Sequence, residues 1–499
     1  MPTKRIVVIG GGIAGLCAGV YAKKCGYDVE VLEMGSNAGG LATSWRRGEY
    51  TFETCLHWLL GSHPKSAFHS RWQEVFDIGR LAFLDQEEYV RLETVGGESL
   101  PIYTDVDRME AELLKRAPQD AAAIREFASS VRRLAKLPMP DPAEPVLTAL
   151  RTISAYPLLR HLSRITVEEY GRRFKHPLLK KFFEGESSEL AAIALLFSLA
   201  WRSQRTAGYA IGGSQAIIRL IAEKLDKLGG HLRLGTKVEQ ILVDHDVATG
   251  VRLTGGETIG ADWVISAADG HATIYDLLGG RYSDKATDRI YATFKPFTSY
   301  LQVSLGIAQD LSKEPAFLTR FLDHPITVDP GTELSRVSFR IFNFDPTFAP
   351  AGKTAVTCFL PTRNFGYWVD LAQHDQAKYQ AEKSRVAEAV VTILENRLTG
   401  IRQAIEVIDV STPATVIRLT GNWEGSMEGW LLTPATGFRP LRKVLPGLRR
   451  FLMAGQWVMP GGGLPSGLMT ARAAVQAICK EDHVPFLPSL AVAGGRTAA

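Results

Sequence analysis

The pattern of apolar and polar positions changes period twice within the first 33 residues. Residues 6–9 form an apolar, mostly β-branched run, which predicts a strand buried on both faces. An apolar, alanine-rich stretch follows and predicts a helix, and the sequence DVEVLE predicts a second strand that ends at Glu33. Strand, helix and strand in this order predict a βαβ unit, which is the building block of a parallel sheet.

The rest of the chain shows both periods. Three β-rich runs between residues 297 and 361 predict an antiparallel sheet. Residues 111–205 are mainly helical in pattern, with breaks at Pro138, Pro140, Pro142 and Pro145. The longest uncharged apolar run covers the twelve residues 190–201. Because a membrane span needs about 20 residues, this run predicts a buried helix.

Three glycines connect the first strand to the first helix in a GxGxxG arrangement. Gly10 permits a tight turn, Gly12 lets the backbone approach a diphosphate, and Gly15 lets helix and strand pack closely. Glu33 lies 21 residues after Gly12, where a carboxylate can accept hydrogen bonds from a ribose diol. In this context the pattern predicts dinucleotide binding rather than a glycine-rich turn, and it leaves NAD and FAD both open.

Two further glycine clusters bear on that choice. Gly39 and Gly40 closely follow the second predicted strand, and either form a simple turn or return backbone N–H groups to the cofactor. Near the other end of the chain, residues 454–467 read AGQWVMPGGGLPSG. This loop precedes an apolar, alanine-rich stretch that predicts a C-terminal helix.

Longer stretches resemble one group of flavoproteins. The sequence AGGLATSWRRGEYTFETCLHWLLG resembles a flavin-binding pattern of the phytoene desaturase, carotenoid isomerase and retinol saturase superfamily. Residues 208–269 resemble the central segment of that superfamily, and residues 454–467 resemble its C-terminal flavin motif. The resemblance implies an α/β fold with a Rossmann-type FAD-binding domain, an antiparallel-sheet substrate domain and a helical lid.

The resemblance also implies domain boundaries. The FAD-binding domain is expected to be discontinuous, with residues 1–70, 206–275 and 445–482. The substrate-binding domain is expected at residues 71–110 and 276–444, the lid at residues 111–205 and a tail at residues 483–499.

FAD is the cofactor that the resemblance implies, because both ends of the chain carry flavin motifs. Val238 is expected to meet the adenine end through its backbone, and a helix beginning near Leu468 is expected to direct its N-terminus at the diphosphate. The full set of expected contacts is Gly10, Gly12, Ile13, Ala14, Gly15, Glu33, Gly39, Gly40, Leu41, His57, Trp58, Val238, Gly455, Gln456, Gly462, Gly463, Leu464, Gly467 and Leu468.

Three positions depart from the superfamily pattern. Glu53 replaces the usual aspartate, and Gln456 stands where many relatives have an acidic residue. Cys55 stands where the pattern has glycine, so the loop beside the flavin carries an extra side chain.

The resemblance implies that the flavin exchanges a hydride with one carbon of a long apolar chain while a proton moves at the neighbouring carbon. His57 is the candidate catalytic residue, with packing beside the flavin as its alternative role. Glu424 and Glu428 either orient the substrate or are solvated loop carboxylates, and Trp58, Trp423 and Trp430 either pack or line a substrate tunnel. No histidine spacing typical of a catalytic metal site occurs, so no metal is expected.

Several functions remain open at this point. The resemblance favours desaturation or saturation of a polyene, isoprenoid or other lipid chain. Redox-neutral cis–trans isomerisation is the alternative, a flavin-bound scaffold without activity is disfavoured, and amine oxidation is a more distant alternative. Only one GxGxxG has the βαβ context, so electrons are expected to pass to or from a quinone, oxygen, a partner protein or the substrate itself.

Charge and cysteine content predict where the protein acts. The five cysteines form no CxxC pair, which favours reduced thiols in the cytoplasm. Residues 151–181 contain eight Lys/Arg and two Glu, a local charge of +6, whereas the whole chain carries +4. Apolar residues interleave with these basic ones. We expect reversible binding to the anionic inner face of the membrane, with a solvated helical face as the alternative; no motif indicates nucleic-acid binding.

Overall fold

The chain is described from a computed structural model that covers residues 3–137, 153–185, 187–437 and 440–489. Pro138, Pro140, Pro142, Pro145 and Arg151 lie outside the described residues, as do positions 490–499 of the expected tail. The strands are β1 (Arg5–Ile9), β2 (Asp28–Leu32), β3 (Ser44–Arg47), β4 (Tyr50–Glu53), β5 (Leu59–Leu60), β6 (Phe83–Leu84), β7 (Glu88–Glu93), β8 (Ser99–Tyr103), β9 (Ala207–Ala210), β10 (His231–Arg233), β11 (Val238–Asp244), β12 (Val247–Leu253), β13 (Thr258–Gly260), β14 (Trp263–Ser266), β15 (Ser299–Ile307), β16 (Phe317–Asp329), β17 (Thr332–Ile341), β18 (Thr354–Thr362), β19 (Ile405–Ser411) and β20 (Phe451–Met453).

The helices alternate with these strands in the first and last parts of the chain and cluster between β8 and β9. They are α1 (Ile13–Lys24), α2 (His69–Gln73), α3 (Val106–Arg116), α4 (Ala121–Ala135), α5 (Tyr156–Leu162), α6 (Val167–Gly171), α7 (Pro177–Phe183), α8 (Ala192–Ser203), α9 (Gly213–Lys227), α10 (Lys285–Thr293), α11 (Phe365–His374), α12 (Gln376–Glu395), α13 (Pro413–Thr420) and α14 (Gly463–Glu481).

A five-stranded parallel sheet carries the βαβ unit predicted from the sequence. Its strand order is β10–β2–β1–β14–β20, so segments from the beginning, middle and end of the chain lie side by side. In β1, Ile6 and Val8 pack into the core that contains α1 and α14, whereas Val7 and Ile9 pack into the core beside β11 and β12. Both faces of β1 are therefore buried, as its unbroken apolar run predicts.

A second sheet has seven strands in the order β19–β15–β18–β17–β16–β7–β8. Its pairs are antiparallel except for β16 and β7, which run parallel. The predicted β-rich region forms its four central strands, and α12 packs against it around the buried Trp368. The sheet is larger than the sequence pattern indicated, because β7, β8 and β19 join it from distant segments.

The described part of residues 111–205 is helical and packs around a hydrophobic core that also includes Leu92, Leu100 and Phe321 of the seven-stranded sheet. α8 forms within the apolar run at residues 190–201, and Leu196 and Leu199 on it are buried. Phe127, Phe174 and Phe183 pack together at its centre. Within the described ranges, no helix combines the length and the apolarity that crossing a membrane requires.

Candidate active site

A cavity of about 730 Å³ lies where the parallel sheet meets the N-termini of α1 and α14. Ligands of open α/β sheets bind at the carboxyl ends of the strands, and the volume is in the range of about 300–1,000 Å³ that is typical of such sites. Fourteen of the residues expected to contact FAD line it: Gly10, Gly12, Ile13, Ala14, Glu33, Gly39, Gly40, Leu41, Val238, Gly455, Gln456, Gly463, Leu464 and Gly467. Segments far apart in the sequence thus meet at one place.

The three glycines of the GxGxxG fingerprint have different surroundings. Gly10 has φ +97°, and a β-carbon there would lie 3.1 Å from the Ala267 carbonyl. At Gly15 a β-carbon would lie 1.8 Å from the Gly10 carbonyl oxygen, so this glycine packs the helix against the strand. At Gly12 the nearest atom would be the Gly39 carbonyl oxygen at 3.6 Å. A side chain at Gly12 would therefore fit within the protein and project into the space that a diphosphate needs.

Two helix N-termini face the cavity. α1 begins after Gly12 and α14 after Gly462, and neither N-cap residue offers a side-chain hydrogen bond to the first turn. The first N–H groups of a helix lack intrahelical partners and carry partial positive charge, which favours an anion. The expected start of the last helix near Leu468 is wrong, because the helix already begins at Gly463 with Pro465 in its first turn, where proline is tolerated.

Gly39 and Gly40 close the cavity over the start of α1. Gly39 has φ +131° and its N–H donates to the Gly11 carbonyl at 3.0 Å. Gly40 has φ +59°, and the nearest atom to a β-carbon there would be the Gly12 Cα at 3.6 Å. The sequence left open whether this glycine pair forms a simple turn or brings the backbone back. These contacts support the second interpretation, because the pair lies against Gly11 and Gly12 of the fingerprint.

Glu33 lies at the carboxyl end of β2 and is buried at the edge of the cavity. Its two carboxylate oxygens each accept one backbone hydrogen bond, from Gly11 N–H and Gly35 N–H, both at 2.7 Å. Each oxygen keeps a further lone pair for a hydroxyl group of a ligand. The wall continues with Thr236, Lys237 and Val238 where β11 begins.

Five residues expected to contact FAD lie outside the cavity wall. Gly15 packs helix against strand, Leu468 is fully buried in the core, and Gly462 lies behind the carboxylate of Glu428. His57 and Trp58 lie on the far side of the loop after β4, although Cys55 in the same loop lines the cavity.

His57 has a closed and positively charged environment. It lines a pocket of about 10 Å³ together with Arg202 and Tyr209. Burial, followed by the charges of Arg340 and Arg202, holds the pKa of His57 well below its usual value, so the ring is neutral. The guanidinium group of Arg340 lies 5.7 Å from the Phe317 ring centre and donates to the Leu56 carbonyl at 3.1 Å.

The loop that separates the two environments is anchored by Glu53. Its buried carboxylate accepts hydrogen bonds from the N–H groups of Cys55 and Leu56 at 3.1 and 3.0 Å. Ser214 at the start of α9 adds its N–H at 3.0 Å and its hydroxyl at 2.6 Å. Glu53 in place of the usual aspartate thus ties the loop beside the cavity to a helix N-terminus.

Gln456, which stands where relatives carry an acid, supports the neighbouring loop. Its side-chain N–H group donates to Asn422 Oδ1 at 2.9 Å, and Trp457 Nε1 donates to the same oxygen at 3.3 Å. Trp430 is fully buried and packs against Trp423 and Trp457. Its role is therefore packing and not the lining of a substrate tunnel.

Burial raises the pKa of two acidic residues of the cavity wall, Asp269, which was not expected there, and Glu428, which was a candidate for orienting the substrate. Asp269 follows β14 and accepts hydrogen bonds from Ala272 N–H and Trp423 N–H, both at 2.8 Å, while burial raises its pKa to about 7. Glu428 lines the cavity, and burial raises its pKa to about 8. Glu428 therefore lies at the cavity and is not a solvated loop carboxylate. The sequence could not distinguish it from Glu424, which lies four residues earlier in the same loop and outside the cavity wall.

The cavity fits FAD by its chemistry. Uncapped helix N-termini suit the diphosphate, and the Glu33 carboxylate suits the ribose. Glycines 12, 40, 455 and 463 leave space that any β-carbon would partly fill, with no protein atom closer than 3.6 Å to that carbon. Backbone approach to a bound cofactor explains Gly12, whose φ is −74°, whereas the positive φ of Gly40, Gly455 and Gly463 by itself favours glycine.

Comparisons with known proteins agree with this site. The sequence model of flavin containing amine oxidoreductases matches residues 13–479. The neurosporene-forming phytoene desaturase of Rhodobacter capsulatus is 26% identical over 95% of this chain and 94% of its own. The chloroplastic prolycopene isomerase of Arabidopsis thaliana is 24% identical over 84% of this chain and 73% of its own. These matches confirm the resemblance stated from the sequence.

A solved structure shows the same fold. An oxidoreductase from Methanosarcina mazei superposes with a TM-score of 0.59 over 95% of this chain and 100% of its own, at 17% identity. The family match and the cavity together identify the cofactor as FAD. The chain belongs to the flavin-containing amine oxidoreductase family.

Proposed function

We propose that the protein is an FAD-dependent oxidoreductase that desaturates or saturates carbon–carbon bonds of a long apolar polyene, isoprenoid or other lipid. The observation that carries this proposal is the match to a phytoene desaturase over 95% of this chain, which spans both flavin motifs. Redox-neutral cis–trans isomerisation of a polyene is the alternative, since a prolycopene isomerase matches over 84% of the chain.

The chain's own residues would bind and orient the reactants. The two helix N-termini and Glu33 hold the cofactor, and when bound the flavin supplies the hydride acceptor or donor. Apolar groups from Ile13, Leu277, Ile417 and Met427 line the cavity and exclude water. With no second dinucleotide fingerprint in the sequence, we propose a quinone or oxygen as the external electron acceptor in desaturation and a reduced quinone as the electron donor in saturation.

Anaerobic incubation of the purified FAD-bound protein tests the proposal. Phytoene, retinol and an unsaturated fatty acid would be compared with the primary amine putrescine while flavin absorbance is recorded. Bleaching by an apolar chain supports desaturation, and reoxidation of prereduced flavin by a polyene supports saturation. Product without net flavin change supports isomerisation, and bleaching by putrescine alone would assign amine oxidation instead.

We also propose that the lid binds an anionic membrane surface reversibly. The start of the described lid exposes Ile153 and Tyr156, which are 69% and 61% exposed, beside the exposed basic residues Arg160 and Arg164. Apolar and basic side chains on one exposed surface suit the interface of an anionic bilayer. The apolar substrate class would reach the enzyme from such a membrane.

The structure determines which basic residues to change. Arg172 pairs with Glu168, and Arg173 pairs with Glu126 and stacks on Tyr170, so both support the fold. Replacement of Arg160, Arg164 and Lys180 by Gln should release the protein from vesicles that contain anionic lipid and leave FAD bound. The matched control replaces Arg289, Lys313 and Lys378, which are exposed and, among the described residues, have no ion-pair partner. Equal sedimentation of both triple variants with the wild type at low salt would remove this surface from consideration.

A further inference from the structure

Glu428 is a carboxyl group without a partner at the cavity. It lines the cavity wall, and no hydrogen bond or ion pair from any described residue reaches its carboxyl oxygens. Glu53, two residues before Cys55, is fully buried and accepts four hydrogen bonds, whereas Glu428 is half-buried and accepts none from the described residues. The difference indicates that Glu53 has a structural role, whereas Glu428 is available to a ligand.

The backbone around Glu428 is held firmly. Its carbonyl accepts from the Ser426 hydroxyl at 2.7 Å, and Asn422 Nδ2 donates to the Ser426 carbonyl at 2.7 Å. At Gly429 a β-carbon would lie 2.4 Å from the Gln456 carbonyl oxygen, so two loops touch there. The backbone therefore fixes where the Glu428 side chain enters the cavity, and the carboxyl group itself is left free to interact with a ligand.

The glycine-rich loop makes room for this carboxyl group. A β-carbon at Gly462 would lie 3.0 Å from Glu428 Oε2, and one at Gly463 would lie 3.6 Å from Oε1. An enclosed carboxylate without donors or a cation is disfavoured, so the group holds its proton, and burial raises its pKa to about 8. The other titratable or charged side chains that line the cavity are Glu33, Cys55, Lys237, Glu239, Asp269, Asp276 and Arg418.

We propose that Glu428 is the proton-exchanging group of this site, acting on the substrate carbon next to the one that exchanges hydride. This role rests on the proposed function for its substrate. In the saturating direction the carboxyl O–H bond breaks and the proton joins one carbon of a C=C bond, while the other carbon would receive the hydride that reduced flavin supplies when bound. The resulting carboxylate regains a proton from water; desaturation reverses each of these steps with oxidised flavin.

A titration without substrate tests the protonation of Glu428. Purified FAD-bound wild type would be titrated from pH 6 to 10, with the flavin absorbance and the infrared carbonyl band of protonated carboxyl groups recorded. Both signals should change with an apparent pKa near 8. Glu428→Gln should bind FAD and lose this titration, whereas Glu428→Asp should retain one at a shifted pH.

Two further variants separate Glu428 from its neighbours. Glu424→Gln is the matched control, because Glu424 lies in the same loop but outside the cavity wall, and this variant should titrate like wild type. Asp269→Asn tests the other carboxyl group of the cavity wall whose pKa burial raises. Persistence of the titration in Glu428→Gln, or its loss in Glu424→Gln or Asp269→Asn, would overturn the proposal.

The proton transfer itself is measured with phytoene and retinol in deuterated water. With retinol, wild type should incorporate deuterium at the carbon that gains the proton, whereas phytoene loses a proton at that carbon, so its rate of desaturation is measured instead. Glu428→Gln should lower either rate by about 100-fold or more with FAD still bound. Wild-type incorporation by Glu428→Gln would overturn the role. If only putrescine reacts, the proposed function fails, while the substrate-free titration still decides whether Glu428 carries the proton.

Discussion

One loop separates two polar environments that differ in how they are built. On one side Cys55 faces a cavity of about 730 Å³ that is walled largely by backbone and apolar groups. On the other side His57 faces a pocket of about 10 Å³ beside Arg202, with room for about one water molecule. The cavity depends on residues that lack side chains, whereas the pocket depends on large side chains that meet from distant segments. The comparison shows why a glycine pattern predicts a ligand site better than a lone histidine does.

The largest effect is expected on FAD binding, from a substitution in the glycine-lined cavity. Gly12→Val places two methyl groups in the cavity without a clash inside the protein, since the nearest atom to its β-carbon is 3.6 Å away. Overpacking costs about 1–3 kcal/mol, so the Kd for FAD should rise about tenfold or more and the purified protein should lose most of its yellow colour.

The control for that variant is Gly366→Val, at an exposed helical glycine with no atom within 4 Å of its β-carbon. It should retain full flavin absorbance, as measured by the ratio of flavin to protein absorbance. Full flavin content in Gly12→Val would show that the diphosphate does not lie against this glycine.

The same contrast explains how far the sequence could be interpreted. The positions of Gly10, Gly12 and Gly39 follow local rules of backbone geometry, so their clustering could be predicted. The neighbours of His57 come from α8 and β17, and no local pattern specifies that Arg202 and Arg340 would meet there. The sequence indicated Glu428 as a candidate but could not separate it from Glu424, because the absence of hydrogen-bond donors around a carboxyl group is a property of the folded chain alone.

A smaller effect is expected where the separating loop is anchored. Ser214→Ala removes the hydroxyl that donates to the buried Glu53 carboxylate at 2.6 Å. A buried acceptor that loses its donor costs about 1–3 kcal/mol, so the free energy of unfolding measured in urea should fall by about that amount. Ser304→Ala is the matched control, because its hydroxyl accepts from the neutral Gln302 side chain. An equal or larger loss in Ser304→Ala would argue against Glu53 as the anchor.

The cavity carboxyl group predicts a pH dependence of stability. The pKa of Glu428 rises from 4.5 to about 8 on folding, so the folded protein binds more protons than the unfolded chain between these values. Stability must therefore fall as pH rises through this window and level off above about pH 8. Each pKa unit corresponds to about 1.4 kcal/mol, and cavity water reduces the total, so we expect a contribution of about 1–2 kcal/mol.

Thermal unfolding of the apoprotein between pH 5 and 9 measures this slope. Glu428→Gln should flatten the decline of Tm with pH, while Glu424→Gln should leave it close to wild type. A parallel decline in Glu428→Gln and wild type would mean that another group, such as Asp269, is responsible.

The smallest effect is expected on the reaction rate, from a substitution of His57 in the closed pocket. The pKa of His57 lies well below its usual value because of burial and the nearby arginine charges, so the ring stays neutral across pH 6–9 and its titration cannot shape the rate there. General acid–base catalysis contributes about 10²- to 10⁴-fold, whereas His57→Gln should change the rate on phytoene by no more than about threefold and leave FAD bound. The pH–rate profiles of wild type and variant should superimpose. A 100-fold loss of rate with full flavin content would instead make His57 a catalytic residue, and the closed pocket would then have to open toward the cavity during turnover.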